Sequence, residues 1–133
     1  MKQLLDDESK NALVNYRINR AKETIEEVKS ISESGYYNTA VNRLYYACYY
    51  AVIALLVKNN IETQTHAGVK QMLGLHFVST KKLEGDYSKF YSQIFNNRIT
   101  GDYDDFVVFD KEMLDELIPK AEDFIYTIEK LIV

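Results

Sequence analysis

At 133 residues and 47% hydrophobic content, the chain is long enough for one domain with a real core, and short of two. One proline, five glycines and no low-complexity tract exclude a disordered chain. A net charge of −4 argues against a dedicated nucleic-acid binder, and one cysteine with no Cys/His spacing excludes a disulfide framework or a zinc site.

Every periodic segment has a helical period. A first helix is predicted from Ser9, its N-cap, to Ser34, with Gly35 as terminator. Val14, Ile18, Ala21, Ile25, Val28 and Ser32 form its apolar stripe, and charged residues cover the rest. A second helix is predicted over 37–58. It contains LYYACYYAVIALLV (44–57), apolar nearly all round, and so belongs at the centre of a bundle. That run of 14 residues is too short for a bilayer span, and the polar, acidic N-terminus MKQLLDDESK is no secretory signal. The expectation is a cytoplasmic protein with no membrane contact. Cys48, inside the run, reads as a small core residue.

A third helix is expected from His66 to Val78, with Thr65 as N-cap. His66 reads as a cap or surface residue and His76 as partly buried. A linker, STKKLEGD, precedes a fourth helix over 87–99. A fifth runs from Asp110, its N-cap, to the end, with Leu114, Leu117, Ala121, Phe124, Ile128 and Leu131 on one face and a kink expected at Pro119. The architecture is thus all-α, an up-and-down bundle of four or five helices in one domain, 1–133.

Charge divides unevenly along the chain. Residues 1–100 carry 13 Lys/Arg against 10 Asp/Glu, and residues 101–133 carry 3 against 10. The C-terminal helix reads as a solvated acidic surface, which leaves room for a basic surface on the earlier helices.

Two arginines stand on core-facing positions. Leu83, Tyr87, Phe90, Tyr91, Ile94 and Phe95 form a stripe whose next position is Arg98, and Arg43 opens the apolar second helix beside Asn42, Tyr45 and Tyr46. An inward cation needs acceptors or an opening to solvent. In RITGDYDDF (98–106), Asp102, Asp104, Asp105 and the Tyr103 hydroxyl are the nearest acceptors in sequence. Two readings stay open. Arg98 closes its helix on Asp102 while Arg43 anchors the loop through Asp104 or Asp105, or Arg98 meets a phosphate or a developing charge in a cleft. Six of the eleven tyrosines fall within 36–50, as core rings with hydroxyls at the rim or as a stacking or pairing surface.

YYNTAVNRLYYACYYAVIALL (36–56), IETQTHAGVKQMLGLHFV (61–78) and RITGDYDDF together resemble the HEPN domain, the higher eukaryotes and prokaryotes nucleotide-binding domain, in its small stand-alone prokaryotic form. The resemblance implies a helical homodimer linked to RNA or nucleotide, often as a toxin beside a minimal nucleotidyltransferase partner, and in many members a metal-independent endoribonuclease. No cofactor or metal is implied. The family's catalytic motif is an arginine followed four to six residues later by a histidine. This sequence keeps the arginine as Arg98, has Tyr103 five positions on, and has Asp105 where toxin members carry a tyrosine. The resemblance therefore points to Arg98, Asp102 and Tyr103 as candidate catalytic residues. Arg43, Asn42, Tyr46, Asp104 and Asp105 become candidate binding residues. Three functions follow: a binding module paired with a nucleotidyltransferase, a divergent ribonuclease, and a helical interaction protein without ligand.

Overall fold

The computed structural model describes residues 6–103 and 108–133, with Asp102 and Tyr103 placed as backbone. Five helices follow in order: α1 (Asp7–Glu33), α2 (Tyr37–Lys58), α3 (His66–Leu73), α4 (Gly85–Tyr103) and α5 (Lys111–Ile132). No strand occurs among the described residues.

The N-cap of α1 is Asp6 rather than Ser9. Its carboxylate accepts from the Ser9 N–H at 2.7 Å, so the helix starts two residues earlier than predicted. A carboxylate at a helix N-terminus also meets the positive end of the dipole. Gly35 ends the first turn region with φ +86°, a conformation that a Cβ disfavours. The predicted stripe is the buried face: Val14, Ile18, Ala21, Ile25, Val28 and Ser32 are all buried.

The second helix spans the predicted residues and packs against α1, α3, α4 and α5. At 22 residues it is longer than its apolar run, and by length and composition it could cross a membrane. Its apolarity is spent on the core instead: Ala40, Val41, Leu44, Ala47, Cys48, Ala51, Val52, Ala54, Leu55 and Leu56 are all within 1% of full burial. The small residues among them let neighbouring helices approach closely. Burial pushes the Cys48 thiol pKa up, which keeps it protonated and unreactive.

Thr65 caps α3 as expected, accepting from the Gly68 N–H at 2.9 Å. Past Leu73 the helix widens into a π-helical turn, Gly74–Val78, that drops Phe77 into the core. The loosened winding turns His76 outward, so His76 is exposed and not partly buried.

The fourth helix begins two residues before the predicted start and continues four past the predicted end, to Tyr103. Arg98 therefore lies more than a turn inside the helix, and the first six residues of RITGDYDDF are helical. Gly101 permits this. A Cβ there would stand 2.8 Å from Phe109 Cε2, so the ring of Phe109 occupies the space a side chain would need. Phe109 is in turn held by its N–H donating to Asn38 Oδ1 at 3.0 Å. The start of α2 and the end of α4 are thereby pinned by the residue just ahead of α5.

Asp110 caps α5 through the Met113 N–H at 2.9 Å. The helix is continuous across Pro119, whose ring is exposed. Its acidic surface is not merely solvated. Glu129 pairs with Lys22 at 2.7 Å and Glu122 with Lys29 at 3.1 Å, so the charge division along the chain is partly complementarity between α5 and α1. Such surface pairs contribute roughly 0–1 kcal/mol each; they orient two helices that apolar contacts hold.

Candidate functional site

Positions 45/49 and 46/50 are one helical turn apart, so α2 displays two adjoining rows of phenol rings. Tyr45 is fully buried, and Tyr46, Tyr49 and Tyr50 are half-buried along the edge. Tyr45 stacks on Tyr49 with centroids 5.9 Å apart, and Tyr46 meets Tyr45 edge-on at 5.4 Å.

All four arginines of the chain gather at these rings. The Arg98 guanidinium carbon lies 5.1 Å from the Tyr45 ring centre and 5.7 Å from that of Tyr46, and Nη1 donates to the Tyr46 hydroxyl at 3.1 Å. Arg43 sits 5.6 Å over Tyr46 and Arg20 5.5 Å over Tyr50. Burial raises the Tyr49 pKa, and Arg17 is near enough to oppose that rise.

Their charges are not equally available. Glu27 lies 3.6 Å from Arg43 and 3.8 Å from Arg20, and Glu23 lies 3.0 Å from Arg20. Arg43 thus finds a carboxylate on α1. The expected pairing of Arg43 with Asp104 or Asp105 lies outside the described residues, as do the side chains of Asp102 and Tyr103. Arg98 has no carboxylate within ion-pair distance among the described residues, and its Nε is buried without a hydrogen-bond partner there. Asn42 is half-buried on α2, next to Arg43.

His66 joins this group, contrary to its reading as a cap or surface residue. It is half-buried, and its Nδ1 is 2.8 Å from the Tyr45 hydroxyl. The imidazole stacks on Tyr49 at 4.4 Å and meets Tyr46 edge-on at 5.7 Å. Sequence offered little to find it by: Thr65 and His66 read as an ordinary helix start, and only the fold turns that start toward α2. The arrangement is a cation and an imidazole, from α4 and α3, both within 6 Å of the same two tyrosine rings.

Electrostatics keep the imidazole neutral. Burial, then the Arg98 charge, lowers the His66 pKa from its ordinary value near 6.5. Burial pushes the Tyr45 pKa up to about 12, a rise that the Tyr91 hydroxyl and Arg98 moderate, so Tyr45 stays a phenol near neutrality. A pH effect on stability follows. Above pH 6.5 His66 is neutral folded or unfolded. As pH falls below that, the unfolded chain takes up the proton first, and stability drops until the folded chain takes it up too. Urea midpoints between pH 7.5 and 5.5 should fall more for the wild type than for His66→Asn; equal falls would assign the effect elsewhere.

A phenol row, a guanidinium with no carboxylate partner among the described residues and a neutral imidazole can hold an anion and accept a proton beside it. The model of the HEPN domain matches residues 14–131. A Thermotoga maritima protein named "UPF0332 protein" is 38% identical over 92% of this chain and 93% of its own. Two Methanocaldococcus jannaschii proteins named as putative toxins are 30% and 34% identical, over 87% and 83% of this chain and 79% and 81% of theirs. With the match running through all five helices, the chain belongs to the HEPN domain family.

Proposed function

We propose that this chain is the toxin-side member of a toxin–antitoxin pair, acting as a homodimer with a small nucleotidyltransferase as its partner, and that it engages RNA through Arg98. Two relatives at 30% and 34% identity bear the name of putative toxins, which supports the pairing. The observation that carries the RNA reading is Arg98 itself. It is a half-buried guanidinium with no carboxylate partner among the described residues, set beside half-buried aromatic rings. Phosphate suits such a cation, and bases suit such rings. Asp102, Tyr103, Asp104 and Asp105 border the same end of α4 in sequence and belong to the proposed surface.

Induced expression of the chain without a partner should arrest growth. Arg98→Met should relieve the arrest while leaving a folded protein, because methionine keeps the apolar stem and removes only the charge. Removing the guanidinium loses its bond to Tyr46 and its contacts with two rings, and should cost about 1–3 kcal/mol, less than the whole stability of a domain. Free growth with high levels of the wild-type chain would defeat the toxin reading. A second reading has its own support in the Tyr46 bond to Arg98, which could serve only to close the bundle. Under it, Arg98→Met unfolds the protein instead of silencing it.

A further inference from the structure

We propose that Arg17 of α1 is a second phosphate anchor of the site, so that its ligand is a single strand held at two phosphates, one at Arg98 and one at Arg17. The inference rests on the RNA reading above and adds to it a binding residue and a minimum ligand length.

The distribution of charge around α2 carries it. The chain is acidic overall, at −4, yet α2 and α3 contain no aspartate or glutamate, and α4 has none between Asp86 and Asp102. The four arginines border this acid-free tract, and α1 brings carboxylates to two of them. Glu23 lies 3.0 Å from Arg20, and Glu27 lies 3.8 Å from Arg20 and 3.6 Å from Arg43. A phosphate arriving at either must compete with a carboxylate already there. Arg98 and Arg17 differ: neither has a carboxylate within ion-pair distance among the described residues.

The sequence of α1 explains why Arg17 is left over. Its neighbours one turn away are Leu13, Val14, Arg20 and Ala21, none of them acidic. Glu23, the nearest acid on the helix, is about 9 Å further along the axis. Arg17 is half-buried all the same. Its guanidinium carbon lies 6.0 Å from the centre of the exposed Tyr16 ring, and its charge acts on Tyr49, whose raised pKa it opposes. From α4, Arg98 donates to the Tyr46 hydroxyl. The Tyr46 and Tyr49 ring centres are 6.0 Å apart. Two cations without carboxylates, from two helices that both pack on α2, therefore stand at neighbouring rings. A lone phosphate at Arg98 leaves the Arg17 charge unmatched. A strand carries one phosphate per nucleotide, so a second phosphate can meet it, and the forked donors of arginine suit each.

The test measures binding of the full chain to inorganic phosphate, to a mononucleotide and to a length series of 2′-O-methyl oligouridylates, which lack the 2′-hydroxyl and stay intact. Each is titrated at several salt concentrations. For a single strand, log K falls with log salt by about 0.7 for each phosphate contacted, because each contact releases bound counterions. Wild type should bind oligonucleotides more tightly than the mononucleotide. Arg17→Met should weaken oligonucleotide binding about tenfold and make the salt slope shallower by about 0.7, with phosphate and mononucleotide binding unchanged. Arg17→Lys should keep the slope, and Arg20→Met should change it by less than half as much. Arg98→Met should weaken every probe. Loss of packing alone would move the urea midpoint and leave the slope in place. Arg17→Gln repeats the test should the methionine variant fail to fold. An unchanged slope in either folded variant would overturn the role of Arg17. Equal weakening of inorganic phosphate would overturn it too, since both arginines would then share one phosphate. Mononucleotide bound by the wild type as tightly as the oligonucleotides would overturn the length requirement. Wild type that binds poly-glutamate and no oligonucleotide would overturn the RNA reading itself, and this inference with it.

Discussion

Phe124→Ala should destabilise the protein by about 3–5 kcal/mol, the range for removing a buried aromatic ring from a core that cannot collapse onto the gap. The ring is fully buried on α5 and lies nearly parallel to Tyr91 of α4, with centroids 5.5 Å apart and planes 7° from parallel. Phe90 and Tyr87 approach it at 5.9 and 6.4 Å. One side chain thus anchors α5 to α4, and α4 carries Arg98. Against a total of about 5–15 kcal/mol for a domain, the loss should bring the urea midpoint close to zero denaturant. Tyr126→Ala is the control. That ring is exposed, and its removal should move stability by about 0.5 kcal/mol or less. Similar midpoints for the two variants would mean that α5 is held elsewhere, by its ion pairs with α1 for example.

How far sequence reaches is clear from where it stopped. The stripes of α1 and α5 and the all-round apolarity of α2 are one-dimensional patterns, because a helix converts spacing directly into a face. Those stripes are the buried faces, and α2 is the central helix. Helix ends depend on local chemistry that competes at short range. Asp6 is the cap because its carboxylate reaches the Ser9 N–H three residues on, so the helix is already under way where Ser9 would have capped it. The end of α4 depended on a ring from another element, Phe109 over Gly101, which no local pattern contains. The site followed the same rule. Arg98 was visible because it broke an apolar stripe. Arg43 was visible for the same reason, and the carboxylate found beside it, Glu27 at 3.6 Å, comes from α1, where no local pattern of α2 could place it. His66 broke no pattern; it stands at a polar helix start, and its contacts with Tyr45 and Tyr49 span 21 and 17 positions of chain.

Two tyrosines that meet inside the protein should respond to phenylalanine with opposite sign. Tyr45 and Tyr91 are both fully buried, with ring centroids 5.8 Å apart. Tyr45 spends its hydroxyl on His66 at 2.8 Å. The Tyr91 hydroxyl is close enough to moderate the ionisation of Tyr45, yet it reaches no partner in hydrogen-bond geometry among the described residues. Geometry decides between those two facts, because a buried donor that is near but misaligned still loses its water. Tyr91→Phe therefore removes an unsatisfied polar atom and leaves the ring stacked on Phe124, and should stabilise by about 1 kcal/mol. Tyr45→Phe removes the acceptor and donor that hold Nδ1 of His66, and should cost about 1–3 kcal/mol. The functional consequences separate as well. With Tyr45→Phe the imidazole keeps its stack on Tyr49 but loses its hydrogen bond, while Arg98 keeps its bond to Tyr46, so the proposed RNA binding through Arg98 should persist. With Tyr91→Phe the His66 bond and that binding should both stand. Urea midpoints of the two variants check the stability signs, and a destabilised Tyr91→Phe would mean that its hydroxyl is paired with Tyr45 after all. In that case the two phenols and the imidazole form one chain from α4 to α3, in which the Tyr45 hydroxyl donates one hydrogen bond and its oxygen accepts the other.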